Sequence, residues 1–173
     1  MELAAPLLSD LLAKWPVARL ATVNENNRPH LVPIVFVAHQ GILWSPIDGK
    51  RKQMVELQRI RNLRGNANFS LILDQYDGDW NNLWWVRLDG QSEIHTVADR
   101  TSAQVTAALR GKYPQYGKIS LFKNEPLLLK LIWTSATGWA QDDLTTTIGR
   151  ALAACGAVAQ LAVATSAPHT WPW

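Results

Sequence analysis

The stretch HLVPIVFVA, residues 30–38, is written in strand-forming residues with Pro33 near its middle. A proline has no N–H to give a β-ladder. A strand that holds one belongs at a sheet edge, at a bulge, or where the sheet stops pairing with itself. The chain must therefore fold around a sheet that is interrupted near Pro33, and something other than a complete neighbouring strand has to face this segment.

The rest of the chain supplies the sheet. ARLATVN (residues 18–24) alternates like a half-buried strand, and the ENNR turn, with Asn26 and Asn27 tolerant of positive φ, joins it to His30–Ala38 as a hairpin. His39-Gln40-Gly41 turns the chain into a third strand, ILWS. From Lys50 to about Arg64, Met54, Leu57, Ile60 and Leu63 recur at helical spacing, and Gly65-Asn66 ends the helix. FSLILDQY reads as a buried strand, DGDWNN as a loop, and LWWVRLDGQSEIHTV as a long strand with a bend or bulge at Gly90. Asp99 N-caps a helix through about Lys112, and LLLKLIWTSATGWA supplies one or two final strands. The fold class expected is α+β: a small barrel of about six mostly antiparallel strands with two or more flanking helices, the first of them in MELAAPLLSDLLAKW. Residues 1–141 form the barrel domain. The Ala/Thr-rich stretch 142–173 reads as a C-terminal appendage of uncertain structure.

Composition excludes several classes. At 173 residues, 47% hydrophobic and 18% charged, this is one globular domain. A net charge of +3 is too small to imply nucleic acid, and no nucleic-acid-binding motif occurs. Cys155 is the only cysteine, which rules out an intrachain disulfide and a thiolate metal cluster and fits a cytoplasmic protein. The N-terminus lacks the pattern of a signal peptide, and residues 147–164 are too short and too mildly hydrophobic for a membrane span. The four histidines lack metal-ligand spacing, DQYDGDW lacks the terminal acid of a calcium loop, and neither GxSxG nor GxGxxG is present. No catalytic side chain stands out, and no metal is expected.

Two constellations carry chemistry. SPIDGKRK places Ser45, a tight turn and the cations Lys50, Arg51 and Lys52 where the third strand passes into a helix. Residues 50–64 together hold six basic side chains against the single acid Glu56. Helix N-termini and clustered cations suit a phosphate, although a solvated basic face would read the same way. In LWWVR, the adjacent Trp84 and Trp85 must face opposite sides of one strand. One belongs to the core, and the other lines a pocket, meets a partner or caps a barrel end.

With these pieces placed, RLATVNENNRPHLVPIVFV, LWSPIDGKRKQMVELQRIRNLRGNANFSLILD and LWWVRLDGQSEI together resemble the pyridoxamine 5'-phosphate oxidase-like split-barrel superfamily. The nearest likeness is to its probable F420-dependent oxidoreductases, and it extends over about residues 15–140. The resemblance implies an FMN or F420 cofactor. Its ring would lie against Val32, Pro33 and Ile34, and its phosphate would sit at Ser45, Lys50, Arg51 and Lys52. It further implies a homodimer with cofactor sites at the interface, where Trp85 and Arg87 approach the partner's cofactor. The activity implied is hydride transfer to or from a small organic substrate. The alternative is a non-catalytic flavin-, haem- or tetrapyrrole-binding barrel. The substrate residues of the true phosphate oxidases are not recognisable, so vitamin B6 oxidation is not expected.

Overall fold

The computed structural model describes residues 4–47, 56–122 and 126–164, with side chains as far as Cys155. The N-terminal amphipathic stretch forms α1 (Ala5–Lys14), with Pro6 in its first turn and Leu8, Leu11 and Leu12 buried. The strands β1 (Ala18–Val23) and β2 (Pro29–Ile34) make the expected hairpin, with Asn27 at φ 58° in the turn. Next come β3 (Val37–His39) and β4 (Ile42–Pro46), joined by Gln40 at φ 52° and Gly41 at φ 75°. The order continues with α2 (Gln58–Gly65), β5 (Asn68–Gln75), β6 (Trp84–Thr96), α3 (Arg100–Lys112), β7 (Leu127–Ala140) and α4 (Leu144–Ala164).

Among the described residues the seven strands form one antiparallel sheet in the order β2-β1-β5-β6-β7-β4-β3. Its two edges are β2 and β3, which only Val35 and Phe36 separate in the chain. A sheet whose first and last strands are two residues apart has to curl until its edges meet. No ladder joins them, so the result is a barrel with an open seam, the split α+β barrel expected from the sequence.

The seam accounts for Pro33 and corrects one expectation. Residues 30–38 do not form a single strand. Pro33 and Ile34 pair with Arg19 and Ala18, the start of β1, and the ladder ends there. Beyond Ala18, β1 is preceded by Val17 and Pro16, and Pro16 has no N–H to continue the pairing. The chain therefore crosses the seam at Val35-Phe36 and re-enters the sheet as β3, on the far edge.

A second correction concerns the basic helix. The apolar spacing held, with Ile60 and Leu63 buried, but the helix begins at Gln58 and not at Lys50. Leu57 is extended (φ −60°, ψ 137°), and Glu56 ion-pairs with Arg64 at 2.8 Å. In a continuous helix those two residues would stand about 12 Å apart along the axis, so the break at Leu57 is what folds Glu56 back on the helix. Periodicity reports the buried face of a helix and not the point where the backbone enters it. Met54, Lys50, Arg51 and Lys52 lie outside the described residues.

The barrel interior is filled by inward residues of alternate strand positions, among them Leu20, Leu43, Leu71, Leu73, Trp84, Val86, Leu88, Leu129 and Leu131. Each such side chain contributes roughly 1.5–3 kcal/mol on burial. Trp84 is fully buried, its ring 4.8 Å from that of Trp15 in an edge-on arrangement. The same core takes in Leu8, Leu11 and Leu12 of α1 with Leu144, Ile148, Ala151 and Leu152 of α4. A second cluster packs α3 against the strand pair β3–β4: Val37, Trp44, Val105, Leu109, Tyr113 and Leu128. The N-cap of α3 is Asp99, which accepts the Ser102 N–H at 2.7 Å in a capping box. That bond holds the Asp99 carboxyl below its usual range.

Candidate functional site

A pocket of about 230 Å³ lies at the seam. The edge strand β2 gives it Pro33 and Ile34, the seam crossing gives Val35, and the segment before β1 gives Val17. From the opposite side of the seam β4 contributes Ser45 and Pro46, and α2 contributes Arg59. Pro33 and Ser45, 12 positions apart in the chain and on strands near opposite ends of the sheet order, thus meet only because the barrel curls. β2 pairs with β1 alone, so alternate N–H and C=O groups along its other side have no strand to bond. Ser45 is buried and carries the one hydroxyl among the pocket's described side chains, and Arg59 carries the one cation.

The remaining candidates fall elsewhere. Val32 is next to Pro33 but turns inward and packs against the main core. Trp85 and Arg87 stand on the outer face of β6 and do not line the seam pocket. There Trp85 lies between Asp74 of β5 and Trp139 of β7, and the Arg87 Nε donates to Asp89 at 2.9 Å. Asp89 also accepts from the Ser70 hydroxyl, and Arg19 pairs with Asp74, so this face carries ion pairs between aromatic and aliphatic neighbours. Leu31 on β2 is 61% exposed and Trp139 38%, an apolar surface for a sheet face.

Two consecutive residues that sequence reading had not singled out tie the seam together. The Tyr113 hydroxyl accepts the Phe36 N–H at 3.0 Å and lies 2.8 Å from the Phe36 carbonyl and 2.9 Å from that of Pro16. Lys112 donates to the Leu12 carbonyl at 2.9 Å, with its ammonium 3.9 Å from the centre of the Phe36 ring. Burial pulls the Lys112 pKa down to about 7 and raises that of Tyr113. Nothing local marks these residues in the sequence, because their partners lie 76 or more positions away.

Beside α2, a polar cavity of about 580 Å³ opens against the β1–β2 turn and is lined by Arg61, Gln58 and Asn62. Arg59 and Arg61 therefore face different cavities. Asn62 is buried, donating to the Thr22 hydroxyl at 2.9 Å and accepting from Gln58 at 2.7 Å.

Comparison with known proteins places this architecture. The family model described as pyridoxamine 5'-phosphate oxidase matches residues 5–137. The chain belongs to that family. Among solved structures, members of similar fold include Rv2991, a conserved hypothetical protein from Mycobacterium tuberculosis. It is 17% identical with a TM-score of 0.63, over 99% of this chain and 92% of the other. HutZ, the haem storage protein from Vibrio cholerae, is also 17% identical at TM-score 0.63, covering 81% of this chain and 95% of its own. The FAD-binding protein from Mycobacterium smegmatis is 19% identical at TM-score 0.50, covering 79% and 96%. These likenesses establish the fold. No curated protein matches the chain. The pyridoxamine 5'-phosphate oxidase match ends within β7, and the first half of α4 beyond it nevertheless packs into the barrel's core. No helix among the described residues is long and apolar enough to cross a membrane.

Proposed function

We propose that the chain is an oxidoreductase that takes FMN or F420 at the seam and moves hydride to or from a small organic substrate. One observation carries this reading: the seam pocket joins an unpaired strand edge at Pro33 and Ile34 to the Ser45 hydroxyl and the Arg59 cation. That donor set suits a planar, hydrogen-bonding ring attached to an anionic chain. At about 230 Å³ the pocket is smaller than the roughly 300 Å³ at which ligand sites begin, so it would hold one end of such a cofactor. The expected phosphate cations Lys50, Arg51 and Lys52 follow Ser45 by five to seven positions.

When bound, the ring supplies the hydride chemistry, and the protein supplies position and electrostatics. Ile34 and Val35 exclude water from one side of the pocket. The backbone of β2 offers N–H and C=O groups to a ring edge, and Arg59 offsets negative charge at the pocket's rim. The outer face with Leu31, Trp139, Trp85 and Arg87 is the surface we assign to a homodimer contact, which would bring Trp85 and Arg87 to the partner's cofactor. The single cysteine supports a cytoplasmic location.

The test is turnover. Protein loaded with FMN or F420 is mixed anaerobically with NAD(P)H as hydride donor and a reducible organic compound as acceptor, and NAD(P)H consumption is followed with the cofactor's absorbance. Multiple turnovers above the free-cofactor rate support the oxidoreductase. Tight binding with no turnover, or binding of haem in place of flavin, would assign the barrel to storage or sensing. Lys52→Ala should weaken cofactor binding and leave thermal unfolding unchanged. An unaltered affinity would remove Lys52 from the site.

A further inference from the structure

One residue past the last β1–β2 pair, Ala18 with Ile34, the seam pocket has two walls that the ladder itself no longer joins. One is the segment entering β1, which presents Val17, and the other is the seam crossing, which presents Val35. Their immediate neighbours are Pro16 and Phe36, and both meet the same hydroxyl, that of Tyr113. A hydroxyl has one hydrogen and two acceptor positions. It accepts the Phe36 N–H and shares its own proton between the Phe36 and Pro16 carbonyls, so one oxygen satisfies both segments at the point where the ladder ends. Lys112 repeats the arrangement one residue earlier, with the Leu12 carbonyl in the last turn of α1 on one side and the Phe36 ring on the other. The end of α3 thus grips the seam crossing at Phe36 twice, and the chain before β1 at Leu12 and at Pro16.

Resting on the functional reading above, we propose that Tyr113 is a positioning residue for the seam pocket. Its hydroxyl sets the separation of the Val17 and Val35 walls, and so governs how tightly the seam takes its cofactor, although Tyr113 does not line the pocket. Lys112 assists by holding α1 and the Phe36 ring in register with it. The seam would otherwise be the softest part of the barrel, since backbone groups there have lost their strand partners.

The experiment compares Tyr113→Phe with Val105→Ala, a core truncation earlier in α3, in the apolar cluster on which Val35 packs, whose side chain gives no hydrogen bond to either wall. Both are titrated with FMN and with F420 at a temperature where each is fully folded, and amide hydrogen exchange is measured without cofactor. Tyr113→Phe should raise the Kd about tenfold, in line with loss of a buried hydrogen bond, and shift the bound cofactor's visible spectrum. It should also speed exchange in residues 17–18 and 35–37 while β5 and β6 stay protected. Val105→Ala should keep the wild-type Kd and spectrum. Equal weakening in both variants, or unchanged exchange at the seam in Tyr113→Phe, would overturn the proposal. If wild-type protein binds neither cofactor, the functional reading fails, and the exchange data alone decide whether Tyr113 holds the walls.

Discussion

Gly90 of β6 lies against the backbone of β7 so closely that a Cβ there would meet the Ile132 carbonyl oxygen and stand 2.6 Å from the Trp133 Cα. This is the place where the β6–β7 register shifts, between Asp89 and Gly90, with Thr134 as the extra residue on β7. Backbone, not a flexible side chain, fills the space, so neither strand can yield cheaply. Gly90→Ala should cost about 2 kcal/mol or more by overpacking. Gly78, with nothing within 4 Å of its Cβ position, should tolerate alanine within about 0.5 kcal/mol. Chemical denaturation of the two variants measures the contrast, and similar midpoints would mean that the bulge relaxes freely.

The buried amide of Asn62 gives a second prediction. It bonds Thr22 in β1 and Gln58 in its own helix, so Asn62→Ala leaves a buried hydroxyl without its donor. The loss should be about 2 kcal/mol. In a double-mutant cycle with Thr22→Val, the coupling should exceed about 0.5 kcal/mol. Additive single mutants would show that the contact does not fasten α2 to β1.

Lys112 predicts a pH dependence. Burial lowers its folded pKa to about 7 from the usual 10.5, so between those values the unfolded chain holds the proton that the folded chain has released. Stability therefore rises with pH across that window, with a slope approaching at most about 1.4 kcal/mol per pH unit for one proton. The groups facing the ammonium include Cys155 of α4, whose ionisation would raise the lysine pKa, and the Tyr113 phenol. Tyr113 has a raised folded pKa, so its contribution is lost as pH climbs past the ordinary value of 10.0, and the clean interval is pH 7.5–9.5 or so. Urea midpoints over that interval should climb in the wild type and stay flat in Lys112→Met. A flat wild-type profile would contradict the shift.

Much of this fold was legible before any coordinates. The turn at Asn27, the Gln40-Gly41 reversal, the Asp99 cap and the bulge at Gly90 are local consequences of residue chemistry, and each appears where sequence reading puts it. Opposite placement of Trp84 and Trp85 follows from strand geometry alone. What was not legible depends on closure. That β2 and β3 become the two edges of one curled sheet is a property of all seven strands, and the division of residues 30–38 follows from it. For the same reason Pro33, Ile34 and Ser45 could be nominated, whereas Val17, Val35 and the seam ties from Tyr113 and Lys112 could not. Their roles come from partners brought near by the barrel, and hydrophobic periodicity carries no trace of them. The start of α2 was misplaced because a buried face can run on in pattern where the backbone has already turned.

The central claim is that the seam between β2 and β4 takes a flavin-type cofactor. Val17 is 37% exposed and lines that pocket, so a larger side chain there fills the site without burdening the core. The most direct measurement titrates purified wild-type protein and Val17→Trp with FMN and with F420, following cofactor absorbance and fluorescence. Saturable binding of one of them by the wild type, lost in a Val17→Trp protein that still unfolds cooperatively near the wild-type temperature, is the result expected. Binding of neither by the wild type, or undiminished binding by Val17→Trp, would contradict the assignment of the seam as the cofactor site.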